Sequence, residues 1–392
     1  MSMHSVSPIT PDLIHGAVEL ESTEAGILPQ RLPAWTRPQW DAQLAMAQAQ
    51  PSGVRVAFRT AASVVELVTL PTKRRYRDMP PRPDGVYDLL VDGRLLQQAS
   101  APGGKVLDID MISGAAVMQP GAPQTLRFAG LPAGAKTVEI WLPHDETTEL
   151  VALHADAPVE PLPPPAQSGK RRWLHHGSSI SQGSNAIHPT GIWPAVAANL
   201  AGVDLLNVSF GGSALLDPFA ARTIRDLPAD LISLKLGINL VNLDLMRLRA
   251  FGPAVRGFLD TIREGHPTTP LLVISPIYCP IHETTPGPTM FDGKALKRGE
   301  VRYRTTGTEA EVRQGKLTLA VIREQLRTIV QERACRDGNL HYLDGTDLYG
   351  AEDNARLPLP DELHPDAQAQ RLIGERFADM VFAGEVVGTR TG

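Results

Sequence analysis

Trp173-Leu-His-His-Gly-Ser-Ser-Ile-Ser-Gln-Gly183 is the stretch of sequence around which the rest of the chain is organised. Its apolar start predicts a short strand, and the glycine and small hydroxylated residues that follow predict a sharp turn into a helix. Such a turn presents a serine oxygen to a ligand. A serine-rich turn that only caps the next helix would have the same sequence. Residues elsewhere in the chain that could act together with the serine must therefore distinguish the two interpretations.

The composition is that of a soluble globular protein with two or three domains. In 392 residues, 43 acidic and 38 basic side chains leave a net charge of −5. Without a basic stripe or a block of like charge, we expect no nucleic-acid partner. No signal-peptide pattern and no run of roughly 18 apolar residues is present, so we expect a cytoplasmic location and no membrane span.

Two cysteines, Cys279 and Cys335, are too few for a disulfide framework. Neither has the His or Cys spacing of a zinc site, so we expect buried thiols. His175 and His176 lie on the first strand of this stretch, and no third metal-binding residue is suitably spaced. We therefore expect no metal and no cofactor.

Residues 1–155 are expected to form an antiparallel β-sandwich. Residues 1–50 read as irregular, with one weak helical patch near 40–50 that Asp41 is able to cap. From Val54 onward apolar residues alternate with polar ones, and Asp92-Gly93 between two apolar runs predicts a tight hairpin. Short strands separated by Gly, Pro and Asp indicate a sandwich, with Val138, Ile140 and Leu142 on one face.

A proline-rich segment, 156–169, then reads as a semi-rigid linker, because consecutive prolines exclude both helix and sheet ladder. Beyond it, residues 170–392 alternate between apolar strands and amphipathic helices. Strands are expected at 173–176, 204–208, 231–236, 271–275 and 340–343, and helices at 193–200, 215–225, 253–264, 312–336 and 367–382. This alternation predicts an α/β domain in which helices cover both faces of a parallel sheet.

Polar residues follow the ends of the predicted strands, where ligands bind in such folds. Ser179 follows the first strand, Gly212 the second and Asn239 the third, and Asp361 and His364 lie near the end. A serine hydroxyl needs a base to become a nucleophile, and an imidazole suits that task near neutral pH. Asp361, three residues before His364, is close enough to orient its ring.

Acyl transfer also needs fixed hydrogen-bond donors for the oxygen that gains charge in the tetrahedral intermediate. The backbone N–H groups of Ser179 and Gly212 and the side-chain amide of Asn239 are the candidates for this oxyanion hole. Each residue also has an ordinary interpretation. Ser179 fits a helix cap, His364 a surface residue opening the last helix, Asp361 a turn former, Gly212 a turn glycine and Asn239 a strand-end amide.

Four blocks in this order resemble the SGNH, or GDSL, family of serine hydrolases. They are Gly177-Ser-Ser179-Ile-Ser-Gln-Gly183, Asn207-Val-Ser-Phe-Gly-Gly212, Gly237-Ile-Asn239 and Asp361-Glu-Leu-His364-Pro365. The resemblance covers roughly residues 171–383. It implies a three-layer αβα, flavodoxin-like domain, with Ser179 rather than Ser178 as nucleophile and Gly212 rather than Gly211 as oxyanion donor. The preceding sandwich, which is expected to be jelly-roll-like, resembles the β-rich N-terminal modules of some of these esterases.

Two positions depart from the family pattern. Ser178 stands where an acidic residue usually precedes the nucleophile, and Leu240 stands where an aspartate usually follows the third-block asparagine. Both positions should lie beside the pocket, and we name Ser178 as a candidate substrate contact. The long segment 277–310, rich in Pro, Gly, Thr and charge, is expected to form a lid, with His282 and Glu283 as further candidate contacts.

The sequence therefore predicts a two-domain serine esterase that acts on a small acyl ester. The resemblance implies a short acyl group, most plausibly O-acetyl, on a carbohydrate or similar polyol. A thioesterase, a lipase or arylesterase, and an acyltransferase would share every catalytic residue. A carbohydrate-binding module with a disused hydrolase site is the alternative outside enzymes. The acyl group, the alcohol, the oligomeric state and any contact between the sandwich and substrate are left open.

Overall fold

A computed structural model describes residues 3–110, 113–163 and 169–384. The chain divides into two compact units, which we describe separately. Unit 1 consists of residues 1–35, 48–169 and 187–190, and unit 2 of residues 36–47, 170–186 and 191–392. The predicted linker prolines Pro164 and Pro165 lie outside the described residues.

Unit 1 is an all-β structure. Its strands are β1 (His4–Val6), β2 (Ile14–His15), β3 (Glu19–Ser22), β4 (Ile27–Gln30), β5 (Arg55–Thr60), β6 (Val64–Tyr76), β7 (Val86–Val91), β8 (Arg94–Ser100), β9 (Lys105–Ile109), β10 (Ala116–Gln119), β11 (Gln124–Ala129), β12 (Lys136–Trp141), β13 (Thr147–Ala155) and β14 (Val159–Pro161). They form one sheet in the order β10-β9-β6-β13-β4-β3, with β1 and β11 beside it, and another in the order β14-β5-β12-β7-β8, with β2 beside it. Except for β6 with β9, the paired strands run antiparallel.

Both sheets of unit 1 contribute to one apolar core. Val65 and Leu67 of β6 lie in it together with Val56 and Phe58 of β5. Val138 and Ile140 of β12 belong to the same cluster, as the alternating pattern predicted. A sandwich with its core between two sheets is thus the fold of this unit, and the prediction is confirmed.

The hairpin between β7 and β8 forms where the sequence predicted it. Asp92 and Gly93 both have positive φ angles, 49° and 77°, as the two central residues of a type I′ turn require. Asp88, on β7 and fully buried, accepts hydrogen bonds from His188 Nδ1 at 2.7 Å, Thr190 N at 2.9 Å, Thr190 Oγ1 at 2.6 Å and Gln98 Nε2 at 2.7 Å. The short segment 187–190 is therefore fixed to unit 1 through this one carboxylate.

The first fifty residues are more regular than expected, because four short strands lie in 4–30 and pair with later parts of the chain. The sequence signal failed there since each strand is only two to four residues long. The helical patch is a helix, α1 (Ala42–Ala49), and Asp41 accepts a hydrogen bond from Leu44 N at 2.7 Å. The segment that we predicted as a linker begins with β14, whose Val159–Pro161 pairs with β5.

Unit 2 is an α/β structure around a five-stranded sheet. Its strands are β15 (Arg172–His176), β16 (Asp204–Asn207), β17 (Leu231–Lys235), β18 (Leu271–Ile274) and β21 (Leu340–Leu343), with β19 (Thr289–Phe291) and β20 (Tyr303–Thr305) forming a separate hairpin. Its helices are α2 (Ser179–Gln182), α3 (Trp193–Ala201), α4 (Pro218–Asp226), α5 (Ile238–Asn242), α6 (Leu248–Gly265), α7 (Gly293–Leu296), α8 (Leu319–Ala334), α9 (Gly345–Leu348), α10 (Ala351–Arg356) and α11 (Ala367–Phe377). The sheet is parallel throughout, in the order β16-β15-β17-β18-β21.

Helices cover both faces of this sheet, because side chains that point to opposite faces of β15 each pack against helices. Trp173 stacks on Phe377 of α11 at 4.8 Å between ring centroids and packs against Trp193 of α3 at 5.9 Å. His176, which points to the opposite face, stacks on Phe258 of α6 at 5.8 Å. The predicted three-layer fold class is therefore confirmed, and the strand order is the flavodoxin-like one, whose ligands bind beyond the carboxyl ends of the strands.

One predicted helix of unit 2, 312–336, is two elements. A 3₁₀ turn at Glu309–Gln314 ends at Gly315, whose φ of 84° is left-handed. A new helix, α8, then begins after Thr318, whose side chain accepts a hydrogen bond from Val321 N. The single prediction was wrong because the apolar period continues through a glycine that ends the first element. Among the described residues, no helix is long and apolar enough to cross a membrane.

Candidate active site

Ser179 is the first residue of α2, directly after the carboxyl end of β15. Gly177 and Ser178 join the two elements, and a Cβ atom at Gly177 would lie 2.6 Å from Ser181 Oγ, so a side chain there would displace Ser181. Gly183, with a φ of 117°, ends the helix after one turn. Ser179 is thus held on a one-turn helix at the end of a buried strand, as the sequence predicted.

Ser179, His364 and Asp361 form a continuous chain of hydrogen bonds, although 185 residues separate the first two. Ser179 Oγ lies 2.9 Å from His364 Nε2, and His364 Nδ1 lies 2.8 Å from Asp361 Oδ2. The other carboxylate oxygen, Asp361 Oδ1, accepts from the backbone N–H groups of Leu363 at 2.9 Å and His364 at 2.7 Å. Glu362 makes this tight loop possible with a left-handed φ of 69°.

The electrostatics of this loop favour an ionised Asp361. Burial by itself raises the pKa of the carboxyl group, but the hydrogen bonds and charge of His364 and the Leu363 N–H outweigh it, and the pKa lies below its usual value. An ionised carboxylate only accepts hydrogen bonds, so the ring proton of His364 sits on Nδ1. Nε2 is then the acceptor for the Ser179 hydroxyl, which is the arrangement that removes a proton from serine.

The glycine turn of the second block lies beside Ser179. A Cβ atom added to Gly211 would lie 3.5 Å from Ser179 Cβ. The Gly211 N–H donates to Gln182 Oε1 at 2.7 Å, and the Gly211 carbonyl accepts from Gln43 Nε2 at 2.8 Å. Gly212 follows with a left-handed φ of 74°. Among the described residues, no hydrogen-bond acceptor faces the Gly212 N–H, which leaves it available to a ligand.

Asn239 joins this turn from the third block. It lies in α5 after Gly237, whose φ of 122° is left-handed and whose Cβ would collide with Ile322. The Asn239 carbonyl Oδ1 accepts from Ala214 N at 3.1 Å, two residues after Gly212. This bond fixes the amide through its oxygen and leaves the Nδ2 donors for another partner. The glycine turn thus contacts Ser179 through Gly211 and Asn239 through Ala214.

Ser178 is 1% exposed. Its Oγ faces the backbone N–H of Ile180 at 3.4 Å, as a helix N-cap residue does. It belongs to the frame of the turn that carries Ser179 rather than to a surface that a ligand reaches. The expectation of a substrate contact at Ser178 gains no support from this position.

His282 and Glu283 both have partners within unit 2. His282 is fully buried, with Nδ1 3.2 Å from the Thr285 carbonyl and Nε2 2.6 Å from Thr289 Oγ1. Glu283 forms a bidentate ion pair with Arg323, whose Nη1 and Nη2 donate to Oε1 at 2.5 Å and to Oε2 at 2.7 Å. These bonds connect the 277–310 segment to itself and to α8, and the expectation of substrate contacts at His282 and Glu283 stays a prediction.

Two residues near this site have no signal in the sequence. The Asn185 amide donates to Asp361 Oδ2 at 3.1 Å and to the His364 carbonyl at 3.4 Å, from a left-handed φ of 64°. Tyr303, on β20, places its ring edge-on to the His364 imidazole at 5.7 Å and 72°. Only the three-dimensional structure reveals either contact, because both residues lie far from the Asp361 loop in the sequence.

His175 lies beneath α2, the helix that begins at Ser179. Its Nδ1 contacts Ser233 Oγ at 2.7 Å and its Nε2 contacts Ser181 Oγ at 2.9 Å. Burial lowers its pKa well below the ordinary value, so the ring is neutral at physiological pH. This histidine is a structural support of α2. Within the described ranges, no group of three or more His, Cys, Asp or Glu side chains is arranged to hold a metal ion.

Comparison with known proteins finds a family model for part of the chain and a solved structure similar to the whole of it. Residues 13–150 match the family model described as SsfX3, N-terminal domain. The whole chain is similar to the salicylyl-acyltransferase SsfX3 from a tetracycline biosynthetic pathway, at 30% identity and a TM-score of 0.79 over 99% of each chain. A search of curated protein sequences found no match.

Two further solved structures share the fold at lower identity. One, from Bacteroides ovatus, carries the description GDSL-like lipase and matches with a TM-score of 0.68 at 17% identity, over 97% of this chain and 98% of the other. The other is a family two carbohydrate esterase from Cellvibrio japonicus, with a TM-score of 0.56 at 12% identity over 97% of each chain. On its fold and its match to SsfX3, the chain belongs to the SGNH, or GDSL-type, family of esterases and acyltransferases that carry an N-terminal β-sandwich domain.

Proposed function

We propose that this protein is a serine esterase that hydrolyses short acyl esters, O-acetyl esters above all, through an acyl-Ser179 intermediate. The observation that carries the proposal is the hydrogen-bonded series Ser179 Oγ, His364 and Asp361, at 2.9 and 2.8 Å. In this scheme Ser179 is the nucleophile, His364 the general base and then the general acid, and Asp361 the group that fixes the ring.

The proposed reaction has two balanced halves. In the first, His364 Nε2 takes the Ser179 proton as Oγ bonds to the acyl carbon. When the tetrahedral intermediate collapses, the bond to the alcohol breaks and the proton passes to the leaving oxygen. In the second half, His364 removes a proton from water, the water oxygen attacks the acyl-serine, and the proton returns to Oγ as the acid leaves.

The proposed oxyanion hole consists of the Ser179 and Gly212 N–H groups and Asn239 Nδ2. Support comes from the bonds around it: the Gly211 N–H is used by Gln182, while that of Gly212 faces no acceptor among the described residues. Donors that are fixed in advance stabilise the developing negative charge without reorganisation, which is the main source of rate in acyl transfer.

A carbohydrate or similar polyol is the proposed alcohol. The support is the printed names of structural neighbours, among them family two carbohydrate esterases from Clostridium thermocellum and Cellvibrio japonicus. Those matches are 12% identical and show the fold alone, so the sugar is the part of the proposal that most needs a direct test.

Acyl transfer to a second alcohol is a second candidate function, and one observation favours it. The SsfX3 chain, which matches over 99% of both lengths, is named an acyltransferase. Ser179, His364 and Asp361 would serve either reaction, since only the acceptor in the second half differs.

A fluorophosphonate probe tests the proposed nucleophile. We expect one covalent adduct on Ser179 by peptide mass spectrometry, none in Ser179→Ala, and an undiminished adduct in Ser178→Ala. Turnover of nitrophenyl acetate should fall at least about 10⁴-fold in Ser179→Ala. Wild-type protein that forms no adduct and does not hydrolyse nitrophenyl acetate would instead favour a binding module with a disused site.

A partition experiment separates the two enzyme candidates. The protein is given an acetyl ester together with a polyol acceptor in water, and free acetate and the new ester are both quantified. Acetate as the main product supports the esterase, whereas new ester in excess of acetate would assign the chain to acyl transfer.

A further inference from the structure

We propose that Tyr303 and Phe291, on the β19–β20 hairpin, form the wall that selects the alcohol part of the ester, and that this wall fits an alcohol with a flat apolar face. The inference rests on the proposed function and deepens it. It assigns the two halves of the substrate to different parts of unit 2, with the hairpin recognising the alcohol and other elements recognising the acyl group.

The two aromatic rings form a continuous surface that leads to the proposed base. Phe291 and Tyr303 stack at 5.0 Å between ring centroids with an interplanar angle of 28°. Tyr303 then meets the His364 imidazole edge-on at 5.7 Å. Both aromatic residues are half-buried, so each keeps accessible surface. Met290, on the same hairpin, is 52% exposed.

The hairpin is attached to the His364 loop at two points. The Tyr303 N–H donates to the Asp361 carbonyl at 2.9 Å, and Arg302 pairs with Glu362 at 3.0 Å. At its other end, Thr289 Oγ1 bonds to both His282 at 2.6 Å and Asn242 at 3.1 Å. These bonds fix the aromatic wall relative to the imidazole, and a fixed wall discriminates between ligands better than a mobile one.

The chemistry of the proposed reaction places the alcohol on this side. His364 Nε2 hands its proton to the oxygen of the leaving alcohol, so that oxygen must lie within hydrogen-bond reach of the ring. The oxyanion donors lie toward Gly211–Gly212 and Asn239, where the carbonyl oxygen binds. A group attached to the leaving oxygen therefore extends past the imidazole toward Tyr303, whereas the acyl chain does not.

Aromatic walls bind flat apolar surfaces. Stacking against a Tyr or Phe ring contributes enough to change a specificity ratio by about tenfold. Two kinds of alcohol offer such a surface, an aromatic ring and the C–H face of a pyranose. Both alcohols would present a flat apolar face to the wall, and the substrate panel below distinguishes the aromatic alcohol from the sugar.

The test is a two-way ester panel with Tyr303→Leu, which keeps apolar bulk and removes the flat ring. The alcohol series is ethyl acetate, 2-naphthyl acetate and an O-acetyl pyranoside, and the acyl series is 2-naphthyl acetate and butyrate. We expect the ratio of kcat/KM for at least one flat-faced acetate to that for ethyl acetate to fall about tenfold, while the butyrate-to-acetate ratio stays within about twofold. The arm that falls identifies the aromatic or the sugar alcohol.

Two control variants separate recognition from folding. Tyr303→Phe keeps the ring and should retain both wild-type ratios, and Tyr342→Leu, at a half-buried tyrosine of β21, should leave both unchanged. Fluorophosphonate labelling counts the competent sites in each preparation. An unchanged alcohol ratio in Tyr303→Leu, or a change in the acyl ratio instead, would overturn the proposal. Wild-type protein without adduct or turnover would show that the proposed function itself fails, and the inference falls with it.

Discussion

Two Asp–His pairs in this chain have almost the same geometry and different surroundings. Asp361 accepts four hydrogen bonds, from His364 Nδ1, Asn185 Nδ2 and two backbone N–H groups. Asp88 also accepts four, from His188 Nδ1, Gln98 and two groups of Thr190. The two Asp–His distances are 2.8 and 2.7 Å. Of these two imidazoles, the His364 ring contacts a serine hydroxyl through its second nitrogen, at 2.9 Å from Ser179 Oγ.

The comparison teaches that an oriented imidazole is not by itself a reactive centre. In both pairs, hydrogen bonds overcome the effect of burial and lower the pKa of the aspartate. Both rings are therefore held by an ionised carboxylate. The pair in unit 2 differs because a serine and a set of free donors lie on the far side of the ring. The pair in unit 1 has only a short segment of chain to hold.

The largest expected difference between the pairs is in turnover. Asp361→Asn should lower kcat on nitrophenyl acetate by about 10³–10⁴-fold, because an amide nitrogen facing Nδ1 favours the wrong ring tautomer. Asp88→Asn should keep kcat per labelled site within about twofold. The measurement is steady-state kinetics normalised by fluorophosphonate labelling. An equal loss of kcat in both variants would contradict the distinction between the two Asp–His pairs.

The donors beyond the serine should give the next largest effect. Asn239→Ala removes one proposed oxyanion donor and should lower kcat by about 10²–10³-fold with little change in KM. Asn199→Ala, an exposed asparagine on α3, serves as the matched control and should have no effect. If Asn239→Ala turns over at the wild-type rate, Asn239 is not part of the oxyanion hole.

The unit 1 pair should show its effect in stability. Asp88→Asn should lower the free energy of unfolding at pH 7 by about 1–3 kcal/mol, since an amide cannot accept all four bonds. The pKa of Asp88 is lower in the folded protein than in the unfolded chain. Its stabilisation is therefore complete above the unfolded value of about 4 and is lost as the pH falls through the folded value. Urea unfolding at pH 7 and pH 3 should show that the difference in free energy of unfolding between wild type and Asp88→Asn is smaller at pH 3. A larger difference at pH 3 would contradict the stabilising role of the ionised Asp88.

The smallest effect concerns Asn185, which the sequence analysis missed. Asn185→Ala removes a donor from Asp361 Oδ2, so the carboxylate attracts the protonated ring more strongly. The acid limb of the kcat/KM profile should move to higher pH by a few tenths of a unit. Asn185→Asp adds a negative charge and should move it further in the same direction. A loss of rate without movement of the limb would mean that Asn185 only supports the loop.

Much of unit 2 was predictable from local pattern. The strands at 173–176 and 340–343 are within one residue of their observed bounds, because each is a short apolar run between polar turns. The association of Ser179 with Asp361 and His364 followed from their order after successive strands, since parallel strands bring their carboxyl ends to one rim. The chemistry of serine acyl transfer then suggested which contact to expect.

The rest depended on contacts between distant residues. Nothing near Asn185 signals that its amide meets Asp361, 176 positions later. The sequence gives no sign that His282 and Glu283 have polar partners. In the fold, His282 hydrogen-bonds to Thr289 and Glu283 pairs with Arg323. Residue type alone did not separate a supporting polar side chain from a binding one, because that distinction lies in the partners.

The buried tryptophans of unit 2 have a spectroscopic consequence. Trp173 and Trp193 are fully shielded from solvent and lie 5.9 Å apart, and His175, which contacts Ser181 of α2, approaches the Trp193 indole at 4.7 Å. Their emission should therefore be blue-shifted and should report on β15, the strand that precedes Ser179. Trp141, nearly buried under Arg55, is the corresponding chromophore of unit 1. Single-tryptophan variants would make the two halves of the molecule optically distinguishable during denaturation.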